Sequence, residues 1–85
     1  MLYLFNKLGK RIGYIKTGQI SFCFDSLGRQ IGKIGKSGNG LYLYNNSNRL
    51  LARFDGRNTY NANNNFVFNG NCLYNILYPT LSQIR

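Results

Sequence analysis

The sequence has no histidine, no tryptophan and only two carboxylate side chains, Asp25 and Asp55, among its 85 residues. Enzymes and metal sites draw mainly on imidazole groups and clustered carboxylates to move protons, activate nucleophiles and hold cations. Because the chain has neither, we expect no catalytic residue, no metal site and no cofactor. The composition therefore favours a non-catalytic protein.

Cysteine and long apolar runs are also scarce. The two cysteines, Cys23 and Cys72, fit no zinc-binding spacing and are far fewer than in a disulfide-rich secreted domain, which favours reduced thiols. The apolar start, Met1 to Phe5, is followed at once by polar and basic residues, so neither a signal peptide nor a membrane span is predicted. We expect a soluble protein of the cytoplasm, or of a virion or other assembly made there.

Positive charge is what the chain has in excess. Eleven Lys and Arg residues face two acids, which gives a formal charge of +9, while a hydrophobic content of 44% is sufficient for one packed domain. Self-repulsion at this charge opposes compaction, so an anionic partner is expected. Nucleic acid, or a virion, ribosomal or membrane surface, is the simplest such partner, and we favour nucleic acid or a nucleoprotein.

The chain repeats with a period of about 20 residues. Two aromatic residues separated by one position are followed by Asn or Asp, then by a turn residue and a basic residue. A fourth, degenerate copy is aligned on Phe66-Val67-Phe68-Asn69, after the polar run 61–65. The predicted domain is 1–78, with repeats at 3–18, 22–37, 42–57 and 60–77. Residues 79–85 form a C-terminal tail that docks on the domain or on a neighbouring chain.

Each copy predicts a β-hairpin. The Asn or Asp side chain bonds its own backbone, and Gly9, Gly28 or Asn48 adopts the positive φ that closes a turn with a bulge. Aromatic residues two apart share one face of a strand, and we assign this face to the core. The aromatics concerned are Tyr3, Phe5, Phe22, Phe24, Tyr42, Tyr44, Phe66 and Phe68. Apolar residues lie three apart in the return strands. This spacing indicates either a β-bulge or a strand with both of its faces partly covered by other residues, and we favour the covering of both faces.

No segment shows helical periodicity, so we predict an all-β fold without a helix. Four hairpins that cannot each bury an apolar face alone are expected to gather round a pseudo-four-fold axis. The repeated pattern apolar-x-aromatic-Asn/Asp-x-x-Gly-Lys/Arg-x-Ile-Gly-x-Ile, over residues 3–77, resembles the four-fold beta flower family of small bacterial proteins. The turn from Asp25 to Ile31 is also similar to the YD repeats of much longer shell-forming proteins. The first resemblance implies a compact four-petal β architecture and, since no activity is established for that family, no site residues.

Basic residues fall into two sets of candidate phosphate contacts. The first set follows the turn residue in three copies and is expected to form a ring at the hairpin tips: Lys10, Arg29 and Arg49. The second set follows the return strands and linkers: Lys16, Lys33, Lys36, Arg53 and Arg57. Together they predict a non-catalytic module that binds a polyanion, most simply nucleic acid, through its phosphates.

Four tyrosines outside the aromatic register are candidates for stacking on unpaired bases: Tyr14, Tyr60, Tyr74 and Tyr78. The sequence contains no ribonucleoprotein aromatic motif and no recognition helix, so no sequence-specific readout is predicted. The alternative function is that of a structural accessory subunit, which decorates a large assembly such as a virion and has protein partners.

Overall fold

The computed structural model describes all 85 residues and consists of one antiparallel sheet in which successive strands are neighbours. The nine strands are β1 Leu2–Phe5, β2 Arg11–Lys16, β3 Ile20–Asp25, β4 Gln30–Ser37, β5 Gly40–Asn45, β6 Leu50–Phe54, β7 Thr59–Asn61, β8 Phe66–Phe68 and β9 Gln83–Ile84. The predicted all-β fold of successive hairpins is confirmed. Its one exception is a five-residue helix, α1, at Leu73–Leu77, where no helix was expected. Because β9 pairs with β1, the sheet has β8 and β9 as its two edges.

Three hairpins close as the repeat predicts. The side-chain Oδ1 atoms of Asn6, Asp25 and Asn45 each accept hydrogen bonds of 2.9–3.0 Å from the backbone N–H groups two and four residues further on. The turn residues take the left-handed conformation, with φ of 79° at Gly9, 84° at Gly28 and 62° at Asn48. Short-range chemistry therefore determines these turns.

The fourth hairpin forms eight residues earlier than its predicted anchor, Asn69. Asn61 is the anchoring residue, because its Oδ1 accepts the N–H groups of Asn63 and Asn65 at 2.9 and 3.0 Å. Asn64 has a φ of 65° and takes the place of the turn glycine. The run 61–65 is thus the turn itself, β8 is its return strand, and the expected return strand after Asn69 is replaced by α1.

The two faces of the sheet are the reverse of those predicted. The buried side chains of the strands lie between and beyond the repeat aromatics: Leu4, Ile15, Cys23, Ile34, Leu43, Ala52 and Thr59. Since alternate residues of a strand point to opposite faces, the aromatic pairs of the first three copies lie on the other, outer face. In the fourth copy Phe66 pairs with Tyr60 on the outer face, whereas Phe68 pairs with the buried Thr59. Tyr3 and Phe22 are 37% and 36% exposed, so the assignment of the repeat aromatics to the core is wrong.

A bulge follows each Asx turn and accounts for the apolar residues three apart. In the first hairpin Leu4 pairs with Gly13 and Phe5 pairs with Arg11, which leaves Ile12 without a partner. Ile12 packs against the core, on the same side of the sheet as Ile15. The second and third hairpins repeat this register shift. The bulge, rather than the favoured coverage of both faces, is therefore the correct explanation.

The inner face is covered by the chain from α1 onward. Leu73 and Tyr78 are 1% and 4% exposed, and the Tyr78 hydroxyl donates a 2.8 Å hydrogen bond to the carbonyl oxygen of Phe24. The second glycine of the repeat makes room for this segment. A Cβ atom on Gly13 would lie 2.6 Å from the Tyr78 ring, and one on Gly32 would lie 2.9 Å from Leu77.

Residues 79–85, predicted to lie outside the repeat domain, are part of it. Ser82 N–H donates to the Phe5 carbonyl oxygen at 2.8 Å, and Arg85 exchanges two backbone hydrogen bonds with Tyr3. Leu81 packs against the core. Of the two docking modes expected for this segment, the structure shows the one on the chain's own domain. No helix is long and apolar enough to cross a membrane.

We expect Gly32→Ala to lower the free energy of unfolding by about 1–3 kcal/mol, because the added methyl would lie 2.7 Å from the Tyr44 carbonyl oxygen and 2.9 Å from Leu77. Gly35→Ala is the matched control on the same strand, since its Cβ would meet nothing within 4 Å. Urea denaturation of the two variants measures the difference. Equal midpoints would show that the close packing at Gly32 does not support the fold.

We expect stability to fall as the pH rises above about 9. Burial raises the pKa of the Cys23 thiol from 9.0 to about 12, and it also raises the pKa of Tyr78. Between pH 9 and 12 the unfolded chain releases a thiol proton that the folded chain keeps, so unfolding gains up to about 1.4 kcal/mol per pH unit from this group. Urea midpoints measured from about pH 8 to about pH 11 should decline, and less steeply in Cys23→Ala. A decline of the same slope in both chains contradicts this assignment.

Candidate functional site

The outer face of the sheet, opposite α1, consists mainly of aromatic and basic side chains. Strand pairing arranges them in three rows that run across the strands. The first row is Tyr3, Tyr14 and Phe24; the second is Lys16, Phe22, Lys33 and Tyr44; the third is Tyr42, Arg53, Tyr60 and Phe66. Cations and rings are therefore neighbours throughout the second row and beside Arg53 in the third.

Several rings of the outer face contact one another and remain open to solvent. Tyr14 and Phe24 stack with ring centroids 4.8 Å apart and an interplanar angle of 13°. Tyr60 and Phe66 meet edge to face at 6.2 Å, and Phe66 is 60% exposed. Contacts of this kind hold the rings in fixed orientations. The outer face thus presents ordered aromatic surface to solvent.

Cations lie over four of the rings. The Lys33 ammonium is 6.0 Å from the Tyr44 ring centroid, and the Arg53 guanidinium is 4.4 Å from that of Tyr60. Arg11 lies over Tyr3 at 5.4 Å and Arg85 over Phe5 at 4.5 Å. Cation–π contacts orient these side chains without neutralising them.

Both carboxylates of the chain accept backbone hydrogen bonds in turns. Hydrogen bonds from the Arg29 backbone N–H and the Arg29 guanidinium lower the pKa of Asp25, and the two form the single ion pair of the chain, at 2.9 Å. Backbone N–H groups of Asn58 and Arg57 lower the pKa of Asp55. The charge of Arg53 also lowers the pKa of Asp55. No cation of the outer face forms an ion pair with a carboxylate side chain.

The two predicted sets of basic residues are not brought together. Alternate turns of a sequential antiparallel sheet lie at one end, so Lys10, Arg29 and Arg49 form a row there with tips roughly 10 Å apart. Lys16, Lys33 and Arg53 lie on the outer face. Lys36 and Arg57 lie toward the opposite end, near the β4–β5 and β6–β7 turns. The outer-face group is the one that the fold combines with aromatic rings.

The four candidate stacking tyrosines also separate. Tyr14 and Tyr60 lie on the outer face, as stacking requires. Tyr74, on α1, is half-buried and packs against the core. Tyr78 is buried and its hydroxyl is bonded to Phe24, so its assignment as a stacking residue is wrong.

Several residues of the outer face were missed by sequence reasoning. The repeat aromatics were assigned to the core, since alternation alone fits either face of a strand equally. Arg11 and Arg85 carry no repeat signal that marks them as part of a surface. The missed residues are Tyr3, Phe5, Arg11, Phe22, Phe24, Tyr42, Tyr44, Phe66 and Arg85.

In comparisons with known proteins, no family model, no curated protein and no solved structure matches this chain. The similarity to the four-fold beta flower pattern therefore stays a prediction that rests on the repeat alone.

Proposed function

We propose that this chain is a non-catalytic β module that binds nucleic acid, alone or in a nucleoprotein assembly, through its outer face. The observation that carries the proposal is the alternation of cations and rings in the row formed by Lys16, Phe22, Lys33 and Tyr44, in the absence of any neighbouring carboxylate. Cations at this spacing contact phosphates, and exposed rings contact bases.

Uncompensated charge supports a phosphate-bearing partner. Of the basic residues, Arg29 alone is ion-paired with a carboxylate side chain, so Lys16 and Lys33 keep their charge toward solvent, and Arg53 interacts with Asp55 only at longer range. A polyanion that contacts them releases its condensed counterions, which favours binding at low salt. The hairpin-tip row, Lys10 and Arg49 with the partly neutralised Arg29, would extend the positive field at one end of the sheet.

The shape of the site supports binding without sequence readout. Reading base pairs in the major groove requires an element, usually a helix, that enters the groove. The one helix, α1, has five residues and packs on the inner face. Stacking on rings tolerates any base, because every base has a π-face.

We expect binding to fall steeply with salt, and Lys16, Lys33 and Arg53 to carry much of this dependence. Changing these three to Gln should reduce the slope of log K against log salt by about 2 for single strands and about 3 for duplex DNA. Fluorescence anisotropy between about 50 and 200 mM salt measures the slope.

The matched control removes the same charge from the hairpin tips, by Lys10→Gln, Arg29→Gln and Arg49→Gln. We expect a smaller change in slope, because Arg29 is already paired with Asp25. If the affinity of the unchanged protein does not depend on salt, the proposal is wrong. If the control changes the slope more than the outer-face variant does, the binding site lies at the hairpin tips.

A second candidate function is that of a structural accessory subunit of a large assembly, such as a virion, with protein partners. The observation that favours it is the β8 edge. Its three side chains, Phe66, Val67 and Phe68, are 60%, 43% and 52% exposed, and no residue from 58 to 84 is charged. An exposed, uncharged edge strand pairs readily with a strand of another chain. We propose that the β8 edge pairs with the β8 edge of a second copy. Two uncharged edges can approach each other without the repulsion that is expected elsewhere on a chain of charge +9.

If this second function holds, the protein should self-associate as its concentration rises, and Val67→Lys should keep it monomeric by placing charge at the edge. Ile84→Lys, at the opposite edge on β9, is the control and should leave association unchanged. Sedimentation velocity distinguishes these results. An unchanged protein that stays monomeric throughout argues against the β8 edge as an assembly contact.

A further inference from the structure

Gly35 is a glycine that the fold does not require. It lies inside β4, pairs regularly with Ile20 on one side and Tyr42 on the other, and has no positive φ. A Cβ atom at this position would meet nothing within 4 Å. A glycine inside a strand weakens it and often marks a bulge, a tight bend, or the close approach of a ligand or of another backbone. The regular pairing of Gly35 shows no bulge, and no other backbone lies within 4 Å of the added Cβ.

The repeat does not require this glycine either. The equivalent positions in the first and third copies, three residues after Gly13 and Ala52, are Lys16 and Asp55. Side chains are therefore accommodated at this point of the repeat. Only the second copy has a glycine at this position, so only the second copy has free space there.

Gly35 lies in a depression of about 300 Å³ on the outer face, which is also lined by Ile20, Lys33, Tyr44 and Asn48. Ile20 is 46% exposed and provides an apolar wall. Tyr44 provides a ring with the Lys33 ammonium 6.0 Å from its centroid. The Asn48 carboxamide offers both a hydrogen-bond donor and an acceptor.

We propose that this depression binds one unpaired base of a single-stranded nucleic acid. The base packs against Tyr44 and Ile20 over Gly35, its polar edge bonds the Asn48 carboxamide, and Lys33 contacts an adjacent phosphate. The bases of a duplex are stacked and paired, so they cannot enter. The inference rests on the proposed function of the outer face and adds to it a preference for single strands.

The test compares an oligothymidylate of about 16 nucleotides with a duplex of equal length, both fluorescently labelled, by anisotropy at low salt. Gly35→Val fills the depression and should weaken single-strand binding roughly tenfold, the contribution of one stacked base, while duplex binding stays unchanged. Ser37→Val is the matched control, because it adds the same side chain to the same face of β4 outside the depression. It should leave both affinities unchanged.

A second variant tests the depression without adding bulk. Asn48→Gly removes the carboxamide and keeps the turn, since Gly9 and Gly28 hold the same position in the first two hairpins. It should weaken single-strand binding several-fold and leave duplex binding unchanged. Thermal melting of each variant at or near that of the unchanged protein confirms that the fold is intact.

The outcomes separate this inference from the function on which it rests. Salt-dependent binding that both variants leave unchanged, or that they weaken equally for single strands and duplex, overturns the base site and leaves the proposed function standing. A protein that binds neither probe overturns both.

Discussion

Burial of the inner face beneath residues 73–81 is the interaction on which the rest of this structure depends. A single sheet must cover one face with another layer, and here the only covering layer is one short helix and the turn that follows it. Leu73 and Tyr78 are the large side chains that this segment buries, and Gly13 and Gly32 are small because the segment approaches the strands closely. The core is accordingly narrow, and small or aliphatic residues, rather than the repeat aromatics, fill it.

The uncovered outer face follows from the same constraint. None of the 85 residues covers it, so its aromatic rings meet solvent, each other and the aliphatic stems and charged heads of Lys and Arg. Rings with cations over them, as in the pairs of Arg53 with Tyr60 and Lys33 with Tyr44, suit a surface that stays wet. The same arrangement suits a ligand that has both phosphates and flat rings. The residues that the fold leaves uncovered are therefore also the residues of the proposed function.

Local features of the fold were predictable from the sequence and non-local ones were not. The turns at Asn6, Asp25 and Asn45 depend on bonds that span four residues, and they form as expected. The fourth turn was misplaced because the alignment followed aromatic pairs, although Asn64 replaces the turn glycine just as Asn48 does. The face that becomes the core is not encoded by alternation, since a period of two fits either face equally. Helix α1 has five residues, and its N-cap residue, Cys72, makes no side-chain hydrogen bond, so its stability depends mainly on tertiary contacts. Of the candidate site, Lys16, Lys33 and Arg53 were predicted, whereas Arg11, Arg85 and the rings that the cations contact were missed.

Two glycines of β4 show how one strand serves both faces. Gly32 and Gly35 are three residues apart, and an odd separation within a strand places them on opposite sides of the sheet. Toward the inner face a methyl at Gly32 would collide with Leu77 and the Tyr44 carbonyl oxygen, so glycine there supports the packing of the core. Toward the outer face a methyl at Gly35 would touch nothing, so glycine there adds only space. Since glycine weakens a strand and the fold gains no contact from it at this position, that space is the part of the outer face in which we propose that a base binds.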